Sequence, residues 1–123
     1  MKIINSVLLC ITIFLLITAV IGCGQVQQYG QTISKNKITE ISKILTKPGS
    51  YEGKTVTIEG KIITECPTGC WFDLKDESGV IYVDLKPSGF AIPQKTGHKV
   101  TVQGEVEKKN EKIVIIGKGV EIR

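Results

Sequence analysis

The chain has 123 residues, of which 41% are hydrophobic and 23% are charged, and its formal net charge is +4. That length leaves room for one domain, and the composition is ordinary for a globular protein. The 16 basic and 12 acidic residues are interspersed along the chain. The charge therefore gives no reason to expect a nucleic acid or another polyanion as a partner.

The first 22 residues have the layout of a secretory signal. Lys2 supplies a positive charge, and residues 7–22 contain no charged side chain. A short positive segment followed by an apolar one is typical of a signal peptide. The charge-free stretch that starts at Ile3 is also about 20 residues long, just enough for a helix to cross a bilayer, so an uncleaved anchor is the alternative.

The end of this stretch favours a cleaved lipoprotein signal. The residues Val20-Ile21-Gly22-Cys23 resemble the lipobox of bacterial lipoproteins, in which the cysteine receives diacylglycerol and the peptidase cuts just before it. The resemblance implies a signal peptide over residues 1–22 and a lipidated Cys23. It also implies a domain held by its lipid at the extracytoplasmic face of a cell-envelope membrane, with inner and outer membranes both possible.

Residues 23–36 predict a flexible tether after the lipidated cysteine. They are polar, rich in glutamine and glycine, and show no apolar periodicity. A flexible segment of this length has a root-mean-square reach on the order of 20 Å. We therefore expect the folded domain to begin at residue 37.

A short amphipathic helix is predicted next. Four apolar residues recur at helical spacing: Ile38, Ile41, Ile44 and Leu45. Asn36 precedes them as a cap, and Pro48-Gly49 follows as a stop. The apolar stripe is narrow, so the helix must pack on the domain behind it.

From residue 54 onward, apolar and polar residues alternate with a period of two, which indicates strands. Five strands are predicted, over residues 54–64, 70–75, 80–85, 99–107 and 112–122. The inward side chains of the second and third are Phe72, Leu74, Ile81, Val83 and Leu85. Gly60 and Gly104 suit strands that coil sharply, and closure into a small barrel would remove most open edges. Residues 37–123 are thus predicted to form one all-β domain preceded by the helix.

The segment from Tyr51 to the end of the chain resembles the OB-fold, a five-stranded Greek-key barrel. The resemblance is carried by YEGKTVTIEGKI, CWFDLKDESGVIYVDL and GHKVTVQGEVEKKNEKIVIIGKGVEIR. Small exported OB-fold domains have a similar entry into the first strand, here Pro48, Tyr51, Gly53 and Lys54. The element CPTGCW at residues 66–71 is similar to one in uncharacterised exported OB-fold families. These likenesses imply the fold and no particular ligand, because the fold hosts many functions.

Cys66 and Cys70 are the cysteines left once the signal and the lipid site are set aside. The turn between them is open to three states: a structural disulfide, a dithiol that binds a soft metal, or a redox couple. Copper(I) would accept the two thiolates with His98 as a third metal ligand. Haem handling is a further alternative, although the C-x-x-C-H pattern of covalent haem attachment is absent. The first expectation is a disulfide and no cofactor.

The outer face of the second and third strands is the predicted ligand surface. The alternation puts four candidate residues there: Trp71, Asp73, Tyr82 and Asp84. Exposed rings are stacking platforms in OB-fold binders, but carboxylates beside them repel phosphate. An envelope protein, peptide or saccharide therefore fits better than nucleic acid. The alternative is that Trp71 packs beneath the helix or the loop at residues 87–93, and residues 108–111 are expected to be a solvated hairpin tip.

No catalytic arrangement is visible in the sequence. It has one histidine, no phosphate-binding loop and no cluster of metal ligands. We therefore predict a non-enzymatic binding or assembly module, anchored to the envelope by lipid. Metal or haem handling through Cys66 and Cys70 is the second hypothesis and single-stranded nucleic-acid binding the third, while the ligand and the oligomeric state are left open.

Overall fold

A computed structural model of the chain describes residues 2–18, 25–34 and 37–123. Its helices are α1 (Lys2–Thr18), α2 (Ile41–Thr46), α3 (Pro48–Tyr51) and a 3-10 turn at Lys86–Ser88. Its strands are β1 (Gln27–Gly30), β2 (Thr55–Glu65), β3 (Trp71–Lys75), β4 (Val80–Asp84), β5 (Lys99–Lys109) and β6 (Lys112–Ile122). None of the described helices has the length and apolar character needed to cross a membrane. Cys23 lies outside the described residues, so its lipidation stays a prediction.

Five of the strands close into a ring. Antiparallel pairing joins β2 to β3, β3 to β4, β2 to β5 and β5 to β6. Parallel pairing of β4 with β6, from Tyr82 opposite Val114 to Asp84 opposite Ile116, completes the circle. All five predicted strands are present, and the last has the predicted bounds. The ring with its short helices is consistent with a barrel-like OB fold, which confirms the prediction of a mostly β, barrel-like domain.

The interior of the ring is apolar, as the alternation predicts. The inward side chains of β3 and β4, and of the residue that follows β4, are at most 2% exposed: Phe72, Leu74, Ile81, Val83 and Leu85. Ile41 and Ile44 of α2 belong to the same core. Full burial of a side chain of this size contributes roughly 1.5–3 kcal/mol to folding, so this set supplies a large part of the stabilisation.

Two predicted glycines allow the long strands to coil. A Cβ at Gly60 would lie 2.5 Å from the carbonyl oxygen of Lys75, and Gly60 stands where β2 leaves β5 and begins to pair with β3. A Cβ at Gly104 would overlap the carbonyl of Ile116, and the register of β5 shifts at this residue. Only glycine permits such close backbone approach at the points where the strands bend.

The predicted tether is wrong for the described residues from 27 onward. Gln27 to Gly30 form β1, which pairs antiparallel with the last part of β6, and Ile33 is buried. β4 covers β6 only at residues 114–116, which leaves the rest of that edge open, and β1 fills it. Backbone hydrogen bonds need no apolar side chain, so this strand has no periodicity that the sequence could reveal.

The helix also starts later than predicted. α2 begins at Ile41, while Ile38 forms a parallel bridge with Thr57 of β2, and Asn36 lies outside the described residues. Thr57, predicted on the polar side of its strand, is buried, and its hydroxyl accepts a hydrogen bond from the side chain of Gln103 at 3.2 Å. α2 ends before Lys47, and Pro48 is the first residue of α3 instead of the residue that ends the helical region.

The N-terminus of α2 is capped by a distant loop. The residue before the helix, Glu40, makes no side-chain cap. Instead Asp76 accepts the backbone N–H of Ile41 at 2.9 Å, and the hydroxyl of Ser78 accepts that of Ser42 at 2.9 Å. Asp76 also accepts the N–H groups of Ser78 and Gly79 in its own turn. One carboxylate therefore shapes the β3–β4 hairpin and docks α2 on it.

We predict that Asp76→Ala lowers the free energy of unfolding by about 1–3 kcal/mol at neutral pH, because four N–H and O–H donors lose their acceptor. Burial raises the pKa of Asp76, but hydrogen bonds from Ile41, Ser78 and Gly79 outweigh it and hold the pKa below its ordinary value of 3.8. Since the folded pKa is lowered, the stabilisation is complete above about pH 3.8 and is lost as the pH falls through the folded pKa.

Urea denaturation of the two proteins from pH 7 to pH 2.5 measures this difference. Glu77→Ala is the matched control, because Glu77 is an exposed acidic neighbour in the same loop. A difference between wild type and Asp76→Ala that stays constant down to pH 2.5 would contradict the role of the ionised carboxylate.

Candidate ligand-binding face

Four predicted residues form one surface on the outside of β3 and β4, here called the ligand face: Trp71, Asp73, Tyr82 and Asp84. All four are half-buried, and Asp73, Tyr82 and Asp84 each lie between two inward, buried neighbours. The strand register pairs Trp71 with Asp84 and Asp73 with Tyr82. Each ring is therefore paired across the strands with a carboxylate, so that the two rings lie on one diagonal of the face and the two carboxylates lie on the other.

The two rings stack on each other. The centroids of Trp71 and Tyr82 are 5.3 Å apart and their planes are inclined by 28°, a geometry that aromatic pairs favour. The contact crosses from one strand to the other along a diagonal of the sheet. On the far side of β4 the register continues the face onto β6, where Val114 lies beside Tyr82.

The polar groups of the ligand face are only partly engaged. Asp84 accepts the backbone N–H of Lys86 at 3.1 Å through Oδ1, and its Oδ2 lies 3.8 Å from the Nζ of Lys109. Among the residues that the structure describes, Asp73 has no hydrogen-bond or ion-pair partner. This carboxylate is therefore an acceptor open to a ligand.

Lysines from the β5–β6 hairpin reach the same face. Asn110 and Glu111 turn the chain with positive φ angles of 50° and 65°, as a tight hairpin requires. The turn brings the Nζ of Lys112 to 5.8 Å from the ring centroid of Tyr82. Lys109 and Lys112 lie beside the ligand face, although the sequence placed Lys109 in a solvated tip and Lys112 at the start of the last strand. No local signal says which distant ring a lysine will cover.

The environment of Tyr82 favours its neutral form. Burial raises the pKa of its hydroxyl, and the carboxylates of Asp84 and Asp73 raise the pKa further. The phenol therefore stays protonated at physiological pH and can donate a hydrogen bond.

Cys66 and Cys70 form the predicted disulfide, with their Cα atoms 5.6 Å apart. Gly69 completes the turn with φ of 72°, and a Cβ there would overlap the carbonyl of Ile92. Cys66 donates its N–H to the carbonyl of Trp71 at 2.9 Å. The disulfide turn therefore leads directly into the strand that presents the indole ring.

The metal prediction finds no support in this oxidised form. A disulfide offers no thiolate to copper, and the Nδ1 of His98 lies 3.3 Å from the carbonyl of Arg123. Within the described residues, no three His, Cys, Asp or Glu side chains are grouped to hold a metal ion. The copper or haem alternative applies only to the reduced protein and stays a prediction.

A larger groove of about 680 Å³ shares no lining residue with the ligand face. Six of its eight lining residues carry a charge: Glu59, Lys61, Lys75, Asp76, Glu77 and Lys99. Three of these residues are already engaged, because Lys99 pairs with Glu59 at 2.7 Å and Asp76 caps α2. The groove therefore has fewer open polar groups than its composition suggests.

Comparison with known proteins supports the fold only. No protein-family model matches the chain, and no curated protein matches it. The structure of the hypothetical protein ygiW from E. coli is similar, with a TM-score of 0.57 and 23% sequence identity over 77% of this chain and 99% of that one. Likeness at this level of identity concerns the barrel and does not extend to a ligand.

We predict that replacing both cysteines, Cys66→Ser with Cys70→Ser, lowers the free energy of unfolding by about 2 kcal/mol, the loop-closure contribution of so short a ring. Denaturation followed by the emission of Trp71, the one tryptophan of the chain, measures the change. Wild-type protein kept reduced should match the double variant. Equal stability of the oxidised and reduced wild type would contradict this structural role.

Proposed function

We propose that this protein is a non-enzymatic binding module of the cell envelope. In this proposal an OB-fold barrel is held to a membrane by lipid on Cys23 and presents its ligand face to an envelope partner. The observation that carries the proposal is the half-exposed stack of Trp71 on Tyr82 beside the unpartnered carboxylate of Asp73. Rings with open polar groups on the outer side of a small barrel are how OB folds meet ligands.

Two observations support export. Residues 1–22 have the layout of a signal and end in the lipobox-like Val20-Ile21-Gly22-Cys23. The Cys66–Cys70 disulfide suits an oxidising compartment, since cytosolic proteins rarely keep one. A diacylated or triacylated cysteine carries enough apolar surface for stable anchoring.

The position of β1 determines how such an anchor would hold the barrel. β1 starts four residues after Cys23, and an extended chain of that length spans at most about 14 Å. Gln27 pairs with Ile122 at the end of β6, whereas the ligand face adjoins β6 at Val114 and Ile116. Eight residues of strand separate Ile122 from Val114, about 26 Å along the strand. The end of β6 that adjoins β1 and the part that adjoins the ligand face are thus well separated, which supports a face presented away from the membrane in this proposal.

We predict that Cys23→Ser abolishes incorporation of a labelled fatty acid into the protein, because it removes the thiol that accepts the lipid. Cys10→Ser is the matched control and should leave the protein in the membrane, since Cys10 leaves with the signal. Cell fractionation and metabolic labelling with a fatty acid report both outcomes. Wild-type protein in the membrane fraction that takes up no fatty acid would argue for the uncleaved anchor instead.

We also predict that a photo-crosslinking amino acid forms different adducts in cells when it is placed at the two ends of the barrel. Placed at Val80, 42% exposed and two residues before Tyr82, p-benzoylphenylalanine should form a discrete adduct with an envelope component other than lipid. Placed at Val26, 49% exposed and just before β1, it should form adducts with lipid.

The control is the Val80 probe combined with Trp71→Ala, which should lose its adduct because the stack is broken. An adduct at Val80 that survives this change would remove the ligand face from the proposed function. No adduct at all in exported, folded protein would count against a binding module.

A further inference from the structure

The hairpin lysines indicate what chemistry the ligand face accepts. Lys112 lies over the ring of Tyr82 and Lys109 lies beside Asp84. Both contacts bring an ammonium group onto a surface of rings and carboxylates. An aromatic face attracts a cation through its quadrupole, and the attraction grows when carboxylates stand beside the ring.

We propose that the ligand of this face is a basic peptide segment whose lysine or arginine side chains take the places that Lys112 and Lys109 hold over Tyr82 and beside Asp84. This rests on the proposed binding function and adds the chemical class of the ligand. The chain's own lysines then act as internal competitors that screen the face while no ligand is bound.

The internal contacts are weak enough to be replaced. The Nζ of Lys109 is 3.8 Å from Asp84, beyond hydrogen-bond distance, and the side chain of Lys109 is 47% exposed. Surface ion pairs of this kind contribute little, because long side chains lose entropy and water screens the charges. Asp73 adds a carboxylate that no described lysine neutralises, so an incoming cation gains a contact that the internal lysines do not make.

The spacing of the face favours a peptide over a single small cation. Asp73 and Asp84 are diagonal neighbours across β3 and β4, a relation that separates Cβ atoms by about 7–8 Å. Alternate side chains of an extended peptide lie about 6.6–6.8 Å apart on one side. A Lys-x-Lys segment in extended form therefore places one ammonium group near each carboxylate, and the aliphatic parts of the two lysine side chains lie over the rings.

The test is a titration of the folded soluble domain, followed by the emission of Trp71. The probes are an acetylated and amidated Lys-Ser-Lys-Ser peptide, the matching Glu-Ser-Glu-Ser peptide and neutral chitotetraose. We expect the lysine peptide to shift the emission and bind at least tenfold more tightly than the other two. The affinity should fall as salt rises and should drop about tenfold in Asp73→Asn.

The decisive variant is Lys112→Ala. If the lysine is an internal competitor, its removal should tighten binding of the lysine peptide by about threefold to tenfold. Lys108→Ala is the matched control, because Lys108 is an exposed lysine of the same hairpin with no contact to the ligand face among the described residues. Weaker binding in Lys112→Ala would overturn the proposal, since it would make the lysine a recognition group for an anionic ligand.

The remaining outcomes separate this inference from the proposed function. Binding of chitotetraose or of the glutamate peptide without binding of the lysine peptide overturns the basic-peptide inference and leaves the binding module standing. No binding of any probe, together with a Val80 adduct that depends on Trp71, overturns the inference in the same way. No binding and no such adduct overturn both.

Discussion

Strand β6 organises the molecule because two different strands share one of its edges. β5 pairs along the opposite edge over nearly its whole length, while β4 takes residues 114–116 and β1 takes residues 119–122. The pairing of β4 with β6 closes the ring, and the pairing of β1 with β6 binds the N-terminal segment to the ring. An edge left open would expose a row of unpaired backbone groups, so both neighbours follow from the length of β6. Gly119 permits the pairing of β1 with β6, since a Cβ at this residue would overlap the carbonyl of Gln31.

The division of β6 also separates the functions that we assign to the barrel. The chain enters beside Ile122, and the ligand face adjoins Val114. The two pairings therefore lie at different parts of β6, with β1 at residues 119–122 and β4 at residues 114–116.

The ligand face depends on three parts of the chain that meet only in the folded state. The disulfide turn leads into Trp71, the β4 strand supplies Tyr82 beneath it, and the β5–β6 hairpin contributes Lys112. Each contact is weak by itself. Together they leave aromatic surface and the carboxylate of Asp73 accessible while Lys109 partly screens the charge of Asp84.

The sequence by itself determined the barrel strands, their inward side chains, the cysteine turn and the outward position of Trp71 and Tyr82. These features depend on alternation and short spacing, which are properties of neighbouring residues. Only the tertiary structure decided that Gln27 to Gly30 form a strand, that Asp76 caps α2 and that Lys112 covers Tyr82. Those contacts join residues distant in the chain through backbone groups or flexible side chains. The physical reason is that strand register and ring closure decide which distant residues come into contact. Neither produces a periodic pattern in the sequence around those residues.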